Sequence, residues 1–110
     1  MDDKYILDEA GNPKIEYDIR AWGKWLQESG NKIIKQEDVI VGDKKYWVST
    51  VFLGLNYTWG DGEPTLFETM VFDRTEDPKS WGDVDMERYS TKEDALKGHE
   101  KMVNSLKERK

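Results

Sequence analysis

The chain has 110 residues, a length that fits one domain spanning residues 1–110 and leaves no room for two. Its formal net charge of −6 opposes binding to nucleic-acid phosphates through a basic face, and the absence of cysteine excludes disulfides and thiolate metal sites. Five Trp, five Tyr and three Phe supply apolar area for a core and argue against a disordered chain.

The N-terminal third predicts a strand, a turn and a helix. Residues 5–7 read as a short apolar strand, and the Gly-Asn-Pro sequence at residues 11–13 is turn chemistry. Residues 17–31 predict an amphipathic helix, because Asp18 suits the N-cap position and apolar residues follow at helical spacing. Those apolar residues are Ile19, Trp22 and Leu26, with Trp25 beside them.

The middle of the chain predicts an antiparallel meander of three strands. The first strand covers residues 32–41, and Gly42-Asp43 forms a two-residue hairpin turn before the second strand, residues 44–56. The third strand covers residues 64–73 and begins at a proline, which cannot donate a ladder hydrogen bond. Both faces of the second strand are largely apolar, which indicates a central strand covered on both sides.

The last third predicts an acidic loop and a terminal helix. Residues 74–87 are rich in acids and read as a solvated loop, followed by a short last strand at residues 88–90. Ser90 and Glu93 have the spacing of a capping box, which predicts that the helix begins there. The helix then carries an apolar stripe formed by Ala95, His99, Met102 and Leu106.

These elements predict an α+β domain with an antiparallel sheet of three to four strands and two helices, in the order strand, helix, three-stranded meander, helix. Two helices are too few to cover both apolar sheet faces, so we expect a homodimer. No run approaches the ~18 apolar residues of a transmembrane helix, and the acidic start does not resemble a signal peptide. We therefore expect a cytoplasmic protein without membrane contact.

The loop between the second and third strands is the first candidate site. It presents Tyr57, Trp59, Asp61 and Glu63, and two glycines fix its shape. Tyr and Trp provide buried area with a polar group at protein interfaces. Two acids in a glycine loop fall far short of the EF-hand pattern, so we expect no metal and no cofactor. The tip of this hairpin is interpreted as a protein-binding surface.

Glu68 and His99 are the second candidate. His99 is the one histidine and lies on the apolar stripe, where a histidine is most often a core residue with one satisfied hydrogen bond. Glu68 could orient its ring if the strand face that carries Glu68 lies under the helix, although Arg88 or Tyr89 could satisfy these groups instead. With the Tyr57–Glu63 loop, the pair would form the pocket of a small enzyme or ligand-binding domain. No nucleophile motif accompanies it, so no catalytic residue is assigned.

A resemblance adds context. The chain contains the segments VSTVFLGLN, GDGEPTLFETMVF, ERYST and ALKGHEKMV. Together they resemble a family of small uncharacterised proteins of bacterial genomes, prophages and phages, in which the loop often reads Asp-His where this chain has Asn56-Tyr57. The resemblance implies an accessory, phage-like setting and carries no activity with it.

These features favour a small acidic accessory protein of phage or prophage type that acts by protein–protein interaction without catalysis. The acidic loop favours a basic protein partner. The alternatives are the Glu68–His99 pocket described above and a structural subunit whose second sheet face is closed by homodimerisation.

Overall fold

The fold is seen in a computed structural model that describes residues 4–28, 30–55, 64–75 and 83–108. Its elements are β1 (Tyr5–Leu7), β2 (Pro13–Ile15), α1 (Ile19–Gln27), β3 (Ile33–Val41), β4 (Lys44–Phe52), β5 (Phe67–Asp73), β6 (Asp83–Tyr89) and α2 (Lys92–Lys107). Strands β1 and β2 form an antiparallel hairpin, and β3 to β6 form a four-stranded antiparallel sheet in chain order. The predicted α+β fold with an antiparallel sheet and two helices is confirmed.

Side-chain caps fix where the helices begin. The carboxylate of Asp18 accepts hydrogen bonds from the backbone N–H groups of Arg20 and Ala21, as the sequence predicts for α1. Helix α2 is capped by Thr91, whose hydroxyl accepts the N–H of Asp94 at 3.0 Å. The predicted cap at Ser90 is wrong by one residue, because the backbone is still extended at Thr91.

Strand β6 corrects the prediction that residues 74–87 form a loop. Residues 83–87 belong to a strand that pairs with β5, and Arg88 lies opposite Glu68 in the register. Asp and Glu are depleted in strands, but charged side chains are well tolerated on an edge strand. The ladder to β5 therefore overrides the low strand propensity of this segment. Residues 76–82 lie outside the described part of the chain.

Helix α2 covers one face of the four-stranded sheet. Two groups of buried residues lie between them: Val39, Tyr46, Val48, Val71, Val103 and Leu106 in one, and Phe52, Leu66, Phe67 and Ala95 in the other. Helix α1 and the β1–β2 hairpin extend the second group, where the Trp25 ring meets Phe52 edge-on at 5.6 Å. All of this packing lies on the α2 side of the sheet.

The end of β4 connects the sheet to the N-terminal elements. Gly54, just after the strand, has a φ of +80°, a conformation that side-chain-bearing residues avoid. Its carbonyl accepts hydrogen bonds from the Trp22 indole at 3.1 Å and from the Tyr5 backbone N–H at 2.8 Å. Neither helix in the described residues is long and apolar enough to cross a lipid bilayer.

Candidate functional site: the open face of the sheet

The structure describes some of the site residues predicted from the sequence and leaves others outside the described part of the chain. Tyr57, Trp59, Asp61 and Glu63, the hairpin tip, lie outside the described residues. Glu68 and His99 are described, and they lie on opposite sides of the sheet, because β5 alternates Phe67, Thr69 and Val71 toward α2 with Glu68, Met70 and Phe72 away from it. The interpretation that Glu68 orients His99 in a shared pocket is therefore wrong.

The side of the sheet away from α2 is the most prominent surface feature, and we call it the open face. No described helix or strand packs against it. Its apolar residues are Ile33, Ile40, Trp47, Val51, Met70, Phe72 and Met86, and its polar residues are Gln36, Asp38, Lys45, Ser49, Glu68 and Arg88. Ile40 is 71% exposed and Met86 47% exposed, whereas Trp47, Val51, Met70 and Phe72 are half-buried.

Aromatic and ionic contacts give the open face a defined surface. Trp47 lies directly opposite Phe72 in the β4–β5 register, and the Arg74 guanidinium lies 5.1 Å from the centroid of the Trp47 ring. A guanidinium over an indole is a favourable cation–π contact. Arg74 Nη1 also lies 3.5 Å from a carboxylate oxygen of Asp38. These contacts hold the Trp47 side chain in place and make the face a preformed surface.

Glu68 is satisfied on this face by an ion pair. Arg88 Nε donates to Glu68 Oε2 at 2.9 Å, and the Glu68 side chain is only 12% exposed. The two residues are direct cross-strand neighbours. The alternative partner Arg88, which the sequence left open, is thus the observed one. It neutralises a carboxylate that would otherwise be buried against apolar side chains.

His99 has different partners, which form a hydrogen-bonded series through the core. His99 Nε2 lies 2.8 Å from Glu37 Oε2, and Nδ1 lies 2.7 Å from Thr50 Oγ1. Thr50 Oγ1 lies 2.5 Å from Thr69 Oγ1. We call this series, Glu37–His99–Thr50–Thr69, the polar chain. His99, Thr50 and Thr69 are completely buried.

The polar chain resembles a carboxylate–histidine–hydroxyl arrangement in its connectivity but not in its access. A nucleophile must reach its substrate, and both threonine hydroxyls are 0% exposed between α2 and the sheet. Each hydroxyl is also held by a neighbouring polar group. The arrangement therefore satisfies buried polar groups and offers no surface for a substrate at Thr50 or Thr69.

Burial and ion pairing perturb three titratable groups near the polar chain. Burial raises the pKa of the Tyr89 phenol, and the neighbouring carboxylate of Glu87 adds to the effect. Near Glu37, the hydrogen bond between Lys35 and Glu100 raises the pKa of Lys35 and lowers the pKa of Glu100. Lys35 Nζ also lies 3.6 Å from Glu37 Oε2, so the carboxylate that holds His99 has a cation beside it.

The sequence analysis missed Glu37, Thr50 and Thr69 as partners of His99. A usable signal existed in the alternation of β4 and β5. Thr50 lies between Val48 and Phe52 on one strand face, and Thr69 lies in an equally apolar series. A hydroxyl between buried apolar neighbours requires a partner. Among the described residues, no group of three or more His, Asp or Glu side chains could hold a metal ion.

Comparison with known proteins finds no match to the chain. No protein-family model matches the chain, and neither the curated proteins nor the solved structures include a significant match.

Proposed function

We propose that this protein acts by protein–protein interaction without catalysis, that its binding surface is the open face, and that a second copy of the chain binds there. The observation that carries the proposal is a sheet face with Trp47, Phe72 and Met70 at its centre and no described element over it. Monomeric proteins rarely leave large apolar patches exposed unless the patches bind something.

The size of the open face supports an interaction of modest strength. Neighbouring strands lie ~4.8 Å apart, and each strand rises ~3.3 Å per residue. A face of four strands, each seven residues long, therefore covers a flat area of about 440 Å². This area includes the polar residues of the face, so its apolar part is smaller. The whole area is below the ~800 Å² that each partner buries in a stable complex, so we expect association that depends on concentration.

The charges of the open face favour a second copy as the occupant. The cations Lys45 and Arg74 share the carboxylate of Asp38, and Arg88 is paired with Glu68. Among the described residues of this face, three cations lie with two acids, so the net charge of these residues is small in a chain of net charge −6. Two copies therefore meet least charge repulsion when they approach through this face. Two such sheets pack ~10 Å apart as a sandwich, with interdigitated side chains.

Light scattering after size exclusion tests the proposal with a matched pair of variants. The wild-type chain should approach twice its 12.9 kDa mass as its concentration rises through the micromolar range. Met86→Glu places a charge on the open face and should give a monomer that still unfolds cooperatively, with a melting temperature below that of the dimeric wild type. Ile19→Glu, at a 62% exposed residue of α1, adds the same charge elsewhere and should still dimerise.

Two results would contradict the proposal. A wild-type mass that stays at 12.9 kDa throughout removes the dimer. A Met86→Glu protein that dimerises like the wild type places the interface elsewhere, and the hairpin tip is then the next surface to test. Replacing Tyr57 and Trp59 by Ala should leave dimerisation intact, and loss of dimerisation in that variant would assign the interface to the tip.

The setting of this function is also part of the proposal. The protein is proposed to work in the cytoplasm, and an accessory role of phage or prophage type rests on the segment resemblance alone. A basic partner is the expectation for the hairpin tip and for residues 76–82, since the small net charge of the described residues of the open face gives such a partner little attraction. Capture from a host lysate by wild-type, Met86→Glu and tip-variant protein separates these surfaces, because each variant should lose the partner that its own surface binds.

A further inference from the structure

The open face has two unlike ends along its strands. One end adjoins the turn between β3 and β4, and we call it the turn end. It carries Lys45 and Arg74 side by side, because the Arg74 backbone N–H donates to the Lys45 carbonyl at 2.8 Å. Lys45 Nζ lies 3.8 Å from one oxygen of Asp38, and Arg74 Nη1 lies 3.5 Å from the other. Among its described residues, the turn end therefore has two cations for one acid.

The opposite end of the face, the far end, places an acid on β5. Glu68 lies there between Val51 on β4 and Arg88 on β6. Its ion pair with Arg88 puts the cation of this end on the edge strand. Arg74 and Glu68 face the same way, since they are six residues apart and alternate residues of a strand share a face. The strand β5 thus leads from a cation at the turn end to an acid at the far end.

The centre of the open face has a large side chain beside a small one. Trp47 and Ser49 are neighbours on this face of β4, and they lie opposite Phe72 and Met70 of β5. Ser49 is only 9% exposed, and its hydroxyl accepts a hydrogen bond from the Gln36 amide at 2.8 Å. A short side chain among longer ones makes a low point in the surface, next to the raised indole of Trp47.

A second copy can stack on this face about a two-fold axis in two ways, because the axis lies between the sheets, along the strands or across them. An axis along the strands brings like ends together and places β4 over β5 of the second copy. Lys45 then meets Arg74 of the second copy, twice in the dimer, and like charges repel. Trp47 meets Phe72 of the second copy, so large rings oppose each other at the centre.

An axis across the strands brings unlike ends together and places each strand over its own copy. Arg74 then meets Glu68 of the second copy, twice in the dimer, and the charges attract. Trp47 lies over Ser49 of the second copy, so the raised ring meets the low point. Facing layers pack best when large side chains lie opposite small ones. Charge and shape therefore favour the same orientation.

Given the proposed dimer, on which this inference rests, we propose that the two copies stack with their two-fold axis across the strands, and that Arg74 and Glu68 select this orientation by pairing between the copies. Glu68 keeps Arg88 beside it, so its carboxylate lies between a cation of its own chain and one of the second copy. The two turns between β3 and β4 then lie at opposite ends of the dimer.

A distance between spin labels tests the orientation without changing either charge. The chain has no cysteine, so Asp43→Cys in the exposed β3–β4 turn gives a single attachment point for a nitroxide. Asp43 lies five residues, or ~17 Å, from Val48 at the centre of β4. The proposed axis therefore separates the two labelled backbones by ~33 Å, whereas an axis along the strands stacks the turns ~15 Å apart.

Pulsed electron paramagnetic resonance measures this distance in the full chain, and each result decides a different point. We expect the long distance at concentrations where light scattering shows the dimer. A short distance would overturn the orientation and leave the dimer in place. A labelled chain without any dipolar interaction, which stays at 12.9 kDa, would remove the dimer itself and the orientation with it.

Charge reversal tests the roles of Arg74 and Glu68. Arg74→Glu and Glu68→Arg should each weaken dimerisation about tenfold, because each puts like charges in both contacts. An equimolar mixture of the two variants should dimerise again, since both contacts of the mixed dimer regain opposite charges. Arg20→Glu, at an exposed residue of α1, is the matched control and should dimerise like the wild type.

The alternative axis predicts the opposite sign. With like ends together, Arg74→Glu would place a carboxylate against Lys45 of the second copy and tighten the dimer. Tighter association of Arg74→Glu, or a mixture that stays as weak as its components, would overturn the proposal. The spin-label distance decides the orientation if either charge variant fails to fold.

Discussion

Substitution of Gly98 by Ala should destabilise the protein although it improves the helix. Gly98 lies in α2 where the helix passes over Tyr89, and an added Cβ would lie 2.0 Å from the Tyr89 hydroxyl oxygen and 2.1 Å from the ring carbon that bears it. No side chain tolerates such an approach, so the ring must move. Its movement would disturb the packing of Tyr89 against the second group of buried residues.

The expected magnitude follows from two opposing contributions. Ala is favoured over Gly inside a helix by ~1 kcal/mol. Forcing extra volume into a packed site costs ~1–3 kcal/mol. The balance is a loss of about 1 kcal/mol in the free energy of unfolding.

Urea unfolding followed by tryptophan fluorescence measures this loss, and α1 supplies the control. Gly23→Ala makes the same chemical change in a helix where nothing lies within 4 Å of the added Cβ, and it should stabilise the protein by ~1 kcal/mol. Combining Gly98→Ala with Tyr89→Ala should cost clearly less than the sum of the two single changes. A Gly98→Ala protein as stable as the wild type would refute the close contact between α2 and Tyr89.

Three further predictions concern the titratable groups. His99→Ala should reduce the free energy of unfolding by ~1–3 kcal/mol, because it leaves Thr50 and a carboxylate without their partner, and His99→Gln should cost less in the same denaturation assay. Because burial raises the pKa of Tyr89, its stabilising contribution is full below the ordinary tyrosine value of ~10 and is lost as pH rises through the folded value. Tyr89→Phe should therefore flatten the alkaline fall in the urea midpoint, and an equally steep fall in that variant would contradict this assignment. The Thr75 hydroxyl, followed by its backbone N–H, lowers the pKa of Asp73, so this contribution is present above the ordinary value of ~4 and is lost as pH falls through the folded value. Asp73→Asn should weaken the acid dependence of stability below about pH 4, and an unaltered acid limb would argue against it.

The sequence predicted the elements that have clear local signals, such as caps and turns. It missed the strand that forms because it pairs with a neighbouring strand. Asp18, the hairpin turn at Gly42-Asp43 and the apolar stripe of α2 are local features, and the structure has them where expected. Strand β6 is acidic and was expected to be a loop, because its strand character comes from pairing with β5. Local propensity carries no information about such a ladder.

The candidate sites show the same division. The sequence identified His99 as a buried group that needs a polar partner, but it named Glu68 because the apolar residues of β5 occur on both faces. Alternation places Glu68 and Thr69 on opposite faces without saying which face lies under α2. That choice is made by packing between distant segments. That neither described helix covers the second face of the sheet, in contrast, could be expected from the number of helices alone.

The two edges of the four-stranded sheet limit how far association through the sheet can extend. Lys35, Glu37 and Asp38 lie along the β3 edge, and Asp85, Glu87 and Arg88 lie along the β6 edge. Charged side chains on edge strands discourage the strand-to-strand joining that would lengthen a sheet into a ribbon. Assembly by edge-to-edge pairing can continue without limit, whereas two sheets that stack face to face bury their apolar surfaces and form a closed dimer. We therefore expect assemblies of this chain to be finite, and its concentrated solutions to remain free of fibrils.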